Sequence, residues 1–144
     1  MWMWKAVCSF RDSSTPHTHF DLHVAGTVTA DDFATGTRAA VRGGTTTIVD
    51  FGTQYEGESL ADGLRNWHEK ADGKCSCDYG FHMSISDWNP SVSRELDDMM
   101  EAGITSFKLY MTYDTQVDDK TILKFCAGLR RWEESPVFTV RTAV

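Results

Sequence analysis

GGTTTIVDF (residues 43–51) contains the pattern that decides the fold: two glycines, then a short β-rich run that ends in a phenylalanine. Runs of this kind between turn residues are typical of buried strands. ITSFKLYM (104–111) repeats the pattern after Gly103, and YGFHMSI (79–85) is a weaker third example. We therefore predict strands over residues 45–51, 105–111 and 79–85.

Segments with helical spacing of apolar residues separate these strands. We predict helices over 31–42, 59–71, 91–102 and 118–132, because apolar residues recur there every three or four positions. Their predicted apolar faces are Phe33, Thr37, Ala40 and Val41; Leu60, Leu64, Trp67 and Ala71; Val92, Leu96, Met99 and Met100; and Ile122, Leu123, Phe125, Cys126 and Leu129. Glycines at 43, 73 and 103 mark the ends of the first three helices, and Asn89-Pro90 marks the beginning of the third.

The alternation of strands and helices predicts an α/β fold with a parallel sheet, either a barrel or a doubly wound layer. No linker or low-complexity stretch interrupts it, so we expect residues 1–144 to form a single domain. A complete eight-stranded barrel typically needs about 250 residues. The chain has 144, so it can supply only part of such a barrel.

Composition narrows the partners and the compartment. The formal net charge is -7, which disfavours nucleic acid and anionic membranes and suits a small polar substrate. The four cysteines lack the spacing of a metal site and are expected to be reduced thiols. The apolar start, residues 1–8, is too short to span a bilayer and lacks the features of a signal peptide. We therefore expect a cytoplasmic protein.

His17-Thr18-His19 is the first candidate site. Residues two apart on a strand face the same way, so the two imidazoles can hold one divalent ion. A pair of exposed histidines is the more common meaning of such a tripeptide. The other histidines, at 23, 68 and 82, show no comparable pattern and are interpreted as structural or surface residues.

Lys108 is the second candidate, because it lies in the middle of an apolar strand. A buried ammonium is costly unless it is paired or chemically changed. A desolvated neutral lysine can react with carbon dioxide to give a carbamate, which can bridge two metals. An ordinary ion pair at the mouth of a barrel is an equally good interpretation.

Tyr113 follows the same strand, where loops of α/β folds meet ligands. A phenol at this place can donate a hydrogen bond to a developing oxyanion. A half-buried packing tyrosine is the more common case.

Several runs, in order, resemble the dihydropyrimidinase/hydantoinase branch of the amidohydrolase superfamily over roughly residues 16–124. They are PHTHFD (16–21), TADDFATGTRAA (29–40), GGTTTIVDF (43–51), WHEKADGK (67–74), DYGFHM (78–83) and GITSFK (103–108). Multiple motifs in the right order are far more specific than any one of them.

The resemblance implies a partial TIM-type (β/α) barrel of about four to five βα units and hydrolytic opening of a cyclic amide such as 5,6-dihydrouracil or a hydantoin. It further implies two zinc ions, with His17 and His19 on one metal and a carboxylated Lys108 bridging both. Tyr113 corresponds to the tyrosine that hydrogen-bonds the substrate carbonyl, and Tyr110 to the apolar wall of the substrate pocket. A full-length member is expected to be a homotetramer.

Residues 1–15 and 125–144 depart from the family pattern. Two further histidines and a catalytic aspartate are expected from later strands, and Arg141 stands about where one histidine belongs. A guanidinium cannot replace an imidazole as a ligand. The isolated chain is therefore expected to be inactive, as a truncated or a degenerate relative.

Two alternatives remain at this point. One is a non-catalytic scaffold resembling the collapsin response mediator proteins, and the other is an allantoinase-like cyclic amidohydrolase. Retention of His17, His19 and Lys108 favours the enzyme lineage, since a scaffold has no physical need for them. The runs around residues 31 and 67 favour a hydantoinase over an allantoinase.

Overall fold

The computed structural model describes residues 13–24, 26–112, 116–129 and 139–141, with the backbone alone at 129 and 139–141. The strands are β1 (Ser14–Thr18), β2 (His23–Val24), β3 (Thr27–Val28), β4 (Thr47–Gln54), β5 (Asp78–Ile85), β6 (Phe107–Tyr110) and β7 (Thr139–Arg141). The helices are α1 (Phe33–Arg42), α2 (Leu60–Ala71), α3 (Pro90–Glu101) and α4 (Asp119–Leu129). Helices thus alternate with the strands of the main sheet, as the sequence predicts.

The main sheet is parallel and has the strand order β1-β4-β5-β6-β7. Its longest pairing runs from Thr47 opposite Asp78 to Gln54 opposite Ile85 without a break. The sheet curls into part of a barrel, which agrees with the barrel alternative and not with a doubly wound layer. The three predicted strands are confirmed, with boundaries that move by one to three residues.

A short antiparallel hairpin of β2 and β3 was not predicted from the sequence. His23 pairs with Val28, and Gly26 adopts a φ of 75° in the turn between the strands. Both strands have only two residues, too few for a period of two to be recognised in the sequence. The hairpin follows the His17–His19 segment closely in the chain.

Polar caps fix the helix ends near the predicted positions. The Asn89 side chain accepts hydrogen bonds from the backbone N–H groups of Ser91 and Val92, and Pro90 begins α3. Asp32 caps α1 and forms a reciprocal capping box with Thr35. These side chains satisfy N–H groups that have no partner within the helix.

The core lies between the helices and the convex face of the sheet. The predicted face of α2 is confirmed in full, since Leu60, Leu64, Trp67 and Ala71 are all buried. The predicted faces of α1 and α4 are wrong at their flanks: Val41 is 45% exposed, Leu123 is 70% exposed and Cys126 is exposed. Val41 follows Phe33 by eight residues, which is about 80° around the helix and beyond the covered stripe.

Three cysteines, Cys75, Cys77 and Cys126, are free thiols, and Cys8 lies outside the described residues. Burial raises the pKa of Cys75 to about 11. In the part of the chain that the structure describes, no helix is long and apolar enough to cross a membrane.

Candidate active site on the concave face of the sheet

Side chains of alternate residues on β4, β5 and β6 project from the concave face of the sheet, opposite the helices. Phe51 pairs with His82, and Ser84 pairs with Lys108, so each pair points to the same side. A hydrogen bond between His82 Nδ1 and the Ser106 hydroxyl confirms this alignment of β5 and β6. Along GGTTTIVDF (43–51), the residues between those on the concave face point towards the helices instead.

His17 and His19 meet this face at the end of β1. Their rings lie 5.0 Å apart between centroids in an edge-to-face arrangement. Phe51 contacts both, at 4.6 Å from His17 and 4.9 Å from His19, and is nearly parallel to the His19 ring. The two imidazoles therefore lie together at the concave face, as the His-x-His spacing predicts.

Lys108 is 4% exposed, so the expectation of a buried lysine is confirmed. Its Nζ lies 3.4 Å from His19 Nε2. It also lies 4.1 Å from the centroid of the Phe51 ring and 4.4 Å from that of Tyr110. The structure thus brings His17, His19 and Lys108 into one cluster.

One part of the predicted arrangement is wrong. Because catalytic groups of a barrel gather at the carboxyl ends of its strands, the sequence predicts His17, His19 and Lys108 on adjacent parallel strands. Instead, β4 and β5 lie between β1 and β6. The curl of the sheet, and not strand adjacency, brings Lys108 to His19.

The environment of His19 keeps its ring neutral. Burial, and then the nearby Lys108 and His17, together lower the pKa of His19 to about 4. Its Nδ1 atom is buried and has no hydrogen-bond partner among the residues that the structure describes. A neutral imidazole is the form that binds a metal ion.

The donor atoms fit a metal in part. Two imidazoles match the ligands that zinc prefers, and a carbamate at Lys108 would add anionic oxygens. Among the residues that the structure describes, no group of three or more histidine, cysteine, aspartate or glutamate side chains is placed to hold a metal ion. Further ligands would have to come from outside the described part.

A pocket of about 250 Å³ opens beside His19. Its surface is mainly apolar, and it is lined by His19, Leu22, His23, Val24, Thr29, Thr53, Tyr55 and Tyr110. Tyr110 therefore lies in the wall of this pocket, while its role towards a substrate stays a prediction. Tyr113 lies outside the described residues, and so does the side chain of Arg141.

Sequence reasoning missed Asp50, which is 1% exposed. Burial raises the pKa of its carboxyl group, while hydrogen bonds from Thr18, Phe20, Trp67 and Phe51 oppose that rise. A charged residue in a buried strand was the signal that singled out Lys108, and the same signal applies to Asp50 in GGTTTIVDF. His82 was interpreted as structural, and it does connect strands, since its Nε2 lies 3.0 Å from the Pro16 carbonyl oxygen of β1.

Comparison with known proteins gives several strong similarities, although no family model matches the chain. The chain is 56% identical over 97 residues to a D-hydantoinase of Streptomyces coelicolor, covering 67% of this chain and 21% of the relative. It is 48% identical over 98 residues to a dihydropyrimidinase of Dictyostelium discoideum, covering 67% and 20%.

Solved structures agree. The crystal structure of a dihydropyrimidinase from Brevibacillus agri superposes with a TM-score of 0.83 at 44% identity, covering 89% of this chain and 28% of that one. A D-hydantoinase from Bacillus sp. AR9 gives 0.83 at 46% identity, covering 90% and 28%. The chain therefore spans only about a quarter of the length of the proteins it matches. Because sequence identity and backbone geometry agree over most of its residues, the chain belongs to the D-hydantoinase and dihydropyrimidinase family.

Proposed function

We propose that this chain forms part of the active site of a metal-dependent cyclic amidohydrolase that opens dihydropyrimidine or hydantoin rings. The observation that carries the proposal is the contact of a neutral, half-buried His19 with the buried Lys108, next to a pocket. The names of the relatives, D-hydantoinase and dihydropyrimidinase, support the substrate class.

In this proposal His17, His19 and a carboxylated Lys108 would hold zinc. Zinc bound there would lower the pKa of a water molecule and polarise the scissile carbonyl group. The His19 ring is held neutral by its surroundings, so no proton has to leave it before it acts as a ligand. Phe51 packs against both imidazoles and limits the orientations that they can adopt.

Formation of the carbamate needs only carbon dioxide. The lone pair of the neutral Lys108 amine attacks the carbon atom, one C=O electron pair moves to oxygen, and the amine releases one proton to water. The product is an N-carboxylate with one negative charge. Burial of Lys108 disfavours its ammonium form and so favours the reactive amine.

The pocket beside His19 is where the ring of the substrate would lie. Its wall includes Tyr110 and Leu22, which can pack against an exocyclic substituent, and Thr53 supplies a hydroxyl. We assign to Tyr113 the hydrogen bond to the carbonyl oxygen that becomes negatively charged. Tyr113 and Tyr110 are thus the proposed substrate-binding residues.

The remaining parts of the proposal come from the sequence pattern, its charge and the family resemblance. We propose that residues 1–144 are one domain, an incomplete barrel of four to five βα units, in a cytoplasmic protein. Its whole form would be a homo-oligomer, a tetramer in a full-length member, with no nucleic-acid or membrane partner.

Zinc content tests the metal-binding part of the proposal. The purified chain, its His19→Gln variant and its His68→Gln variant are incubated with zinc and bicarbonate, desalted and assayed for bound metal. His68 lies on the surface of α2 beside Asp72, so its replacement is a matched control. We expect zinc in the unsubstituted chain and in the control, and loss of zinc from His19→Gln.

Dihydrouracil and hydantoin test the substrate class. We expect one of these rings to bind to the zinc-loaded chain, with turnover weak or absent because further ligands are missing. Equal zinc content in all three proteins would contradict the ligand assignment, and binding of neither ring would contradict the substrate class. A non-catalytic scaffold, the alternative from the sequence, would bind neither zinc nor substrate.

A further inference from the structure

We infer that Asp50 is a positioning residue that sets the orientation of His19 by holding the backbone and side chain on either side of it. The role of Asp50 in metal binding rests on the proposed function, whereas its control of the His19 ring does not.

One carboxylate reaches both neighbours of His19. The Thr18 hydroxyl donates to Asp50 Oδ2 at 2.6 Å, and the Phe20 backbone N–H donates to the same oxygen at 2.9 Å. The residue before the candidate ligand and the residue after it are therefore fixed to one atom. Hydrogen bonds to an ionised carboxylate are stronger than those between neutral groups.

The second oxygen of Asp50 is anchored independently. Oδ1 accepts the indole N–H of Trp67 at 3.1 Å and the backbone N–H of Phe51 at 2.8 Å. Trp67 is 1% exposed and belongs to α2, so the carboxylate is fixed to a buried helix as well as to its own strand. Four donors share two oxygens, which is close to the acceptor capacity of a carboxylate.

The backbone ladder alone does not fix this segment. The pairing of β1 with β4 shifts between Thr15 and Thr18, because three residues of β1 span only two of β4. His17 lies inside this irregular stretch and His19 lies beyond the strand end. Asp50 thus supplies hydrogen bonds where regular strand pairing stops.

Lys70 of α2 contacts the turn of the chain that follows His19. Its Nζ donates to the Asp21 carbonyl oxygen at 2.7 Å and lies 4.4 Å from the Trp67 ring centroid. Asp21 has a φ of 48°, a conformation that non-glycine residues seldom adopt. The chain therefore turns sharply two residues after His19, and α2 supports that turn beside the Asp50 contacts.

NMR of the histidine rings tests this inference without any metal. The His19 ring stacks on Phe51, so its Cε1–Hε1 signal should be displaced upfield in the unsubstituted chain. Asp50→Asn removes the charge and replaces one acceptor with an amide donor, so we expect loss of the displacement and a broadened signal. Thr18→Val removes a single donor and should give a smaller change in the same direction.

Thr37→Val is the matched control, because Thr37 is as buried as Asp50. Its hydroxyl donates to the Phe33 carbonyl oxygen and accepts from the Ser76 N–H, away from β1. It should lower stability and leave the His19 signal unchanged. If Asp50→Asn does not fold, Thr18→Val provides the test by itself. An unchanged His19 signal in Thr18→Val and in every folded Asp50 variant would overturn the inference, as would an undisplaced signal in the unsubstituted chain.

Zinc affinity separates this inference from the proposed function. Loss of a residue that orients a metal ligand through hydrogen bonds typically weakens metal binding by about 10- to 100-fold. We therefore expect the zinc affinity of Asp50→Asn to be at least tenfold weaker. An unsubstituted chain that binds no zinc would refute the proposed metal site, while the His19 signals would still decide the positioning role. Equal zinc affinity in Asp50→Asn and the unsubstituted chain would overturn the inferred role of Asp50 in metal binding.

Discussion

Gly63 allows α2 to lie close against β4, and replacing it should measure how tight that contact is. A Cβ atom at this position would lie 2.7 Å from Met83 Cε, 3.0 Å from the Thr53 carbonyl oxygen and 3.1 Å from Gln54 Cα. The methionine tip can move, but the two backbone atoms belong to the longest strand pairing of the sheet. Gly63→Ala must therefore push α2 outward.

Two opposite contributions set the size of the effect. Alanine is favoured over glycine inside a helix by about 1 kcal/mol, whereas overpacking of a core costs about 1–3 kcal/mol. We expect Gly63→Ala to lower the free energy of unfolding by about 1 kcal/mol. Gly128 in α4 is the matched control, because its added Cβ would meet Trp88 Cη2 at an ordinary 3.4 Å. Gly128→Ala should be neutral or stabilise by up to about 1 kcal/mol.

Urea unfolding followed by tryptophan fluorescence measures both variants. The two should differ by about 1–2 kcal/mol, which at a slope of about 2 kcal/mol per molar urea separates their midpoints by about 0.5–1 M. The double variant Gly63→Ala with Met83→Ala tells whether the clash is with the methionine tip or with the backbone. A Gly63→Ala variant as stable as Gly128→Ala would refute the close approach of α2 to β4.

Three further predictions concern protonation, thiol reactivity and assembly. Because the pKa of His19 is about 4 in the folded chain and 6.5 otherwise, the unfolded chain binds more protons between those values. The free energy of unfolding should therefore fall as pH drops from 6.5 to 4, by about 1–2 kcal/mol after discounting for partial exposure, and His19→Gln should flatten this dependence. Burial raises the pKa of Cys75, so iodoacetamide should label it more slowly at pH 8 than the exposed Cys126; equal rates by peptide mass spectrometry would contradict this. Within the described residues β1 and β7 pair on one side only, so the chain expressed alone should self-associate in sedimentation velocity, and a monodisperse monomer would contradict that expectation.

The fold could be predicted where periodicity and caps agree. The α2 face, from Leu60 to Ala71, follows the 3.6-residue period over three turns, and the strands around Ile48 and Leu109 each follow a glycine. The predictions for Val41 and Leu123 were wrong because each lies at the flank of an apolar stripe, and a period alone does not show how wide the covered stripe is.

The sequence predicts which residues form the candidate site, but not which residues hold them in position. His17, His19 and Lys108 stand out because imidazoles two apart and a lysine in an apolar strand are chemically informative. The role of Asp50 depends on Trp67, which is 17 residues away along the chain and meets it only after α2 has packed on β4. No local pattern indicates a partner that is set by tertiary packing.

The distance between the candidate ligands shows what the curl of the sheet contributes. Neighbouring strands lie about 4.8 Å apart, so in a flat sheet the three steps from β1 to β6 would separate these residues by about 14 Å. The separation of about 14 Å applies to the backbones, whereas the observed 3.4 Å joins two side-chain tips, Lys108 Nζ and His19 Nε2. The curl of the sheet and the long lysine side chain across its concave face both shorten this distance. A lysine suits this geometry because its reactive atom lies at the end of four methylene groups. A shorter carboxylate at position 108 would carry the charge of a carbamate without its reach, so Lys108→Asp should lose zinc even though it restores an anionic ligand. Retention of zinc by that variant would mean that β1 and β6 approach each other more closely than the curl described here.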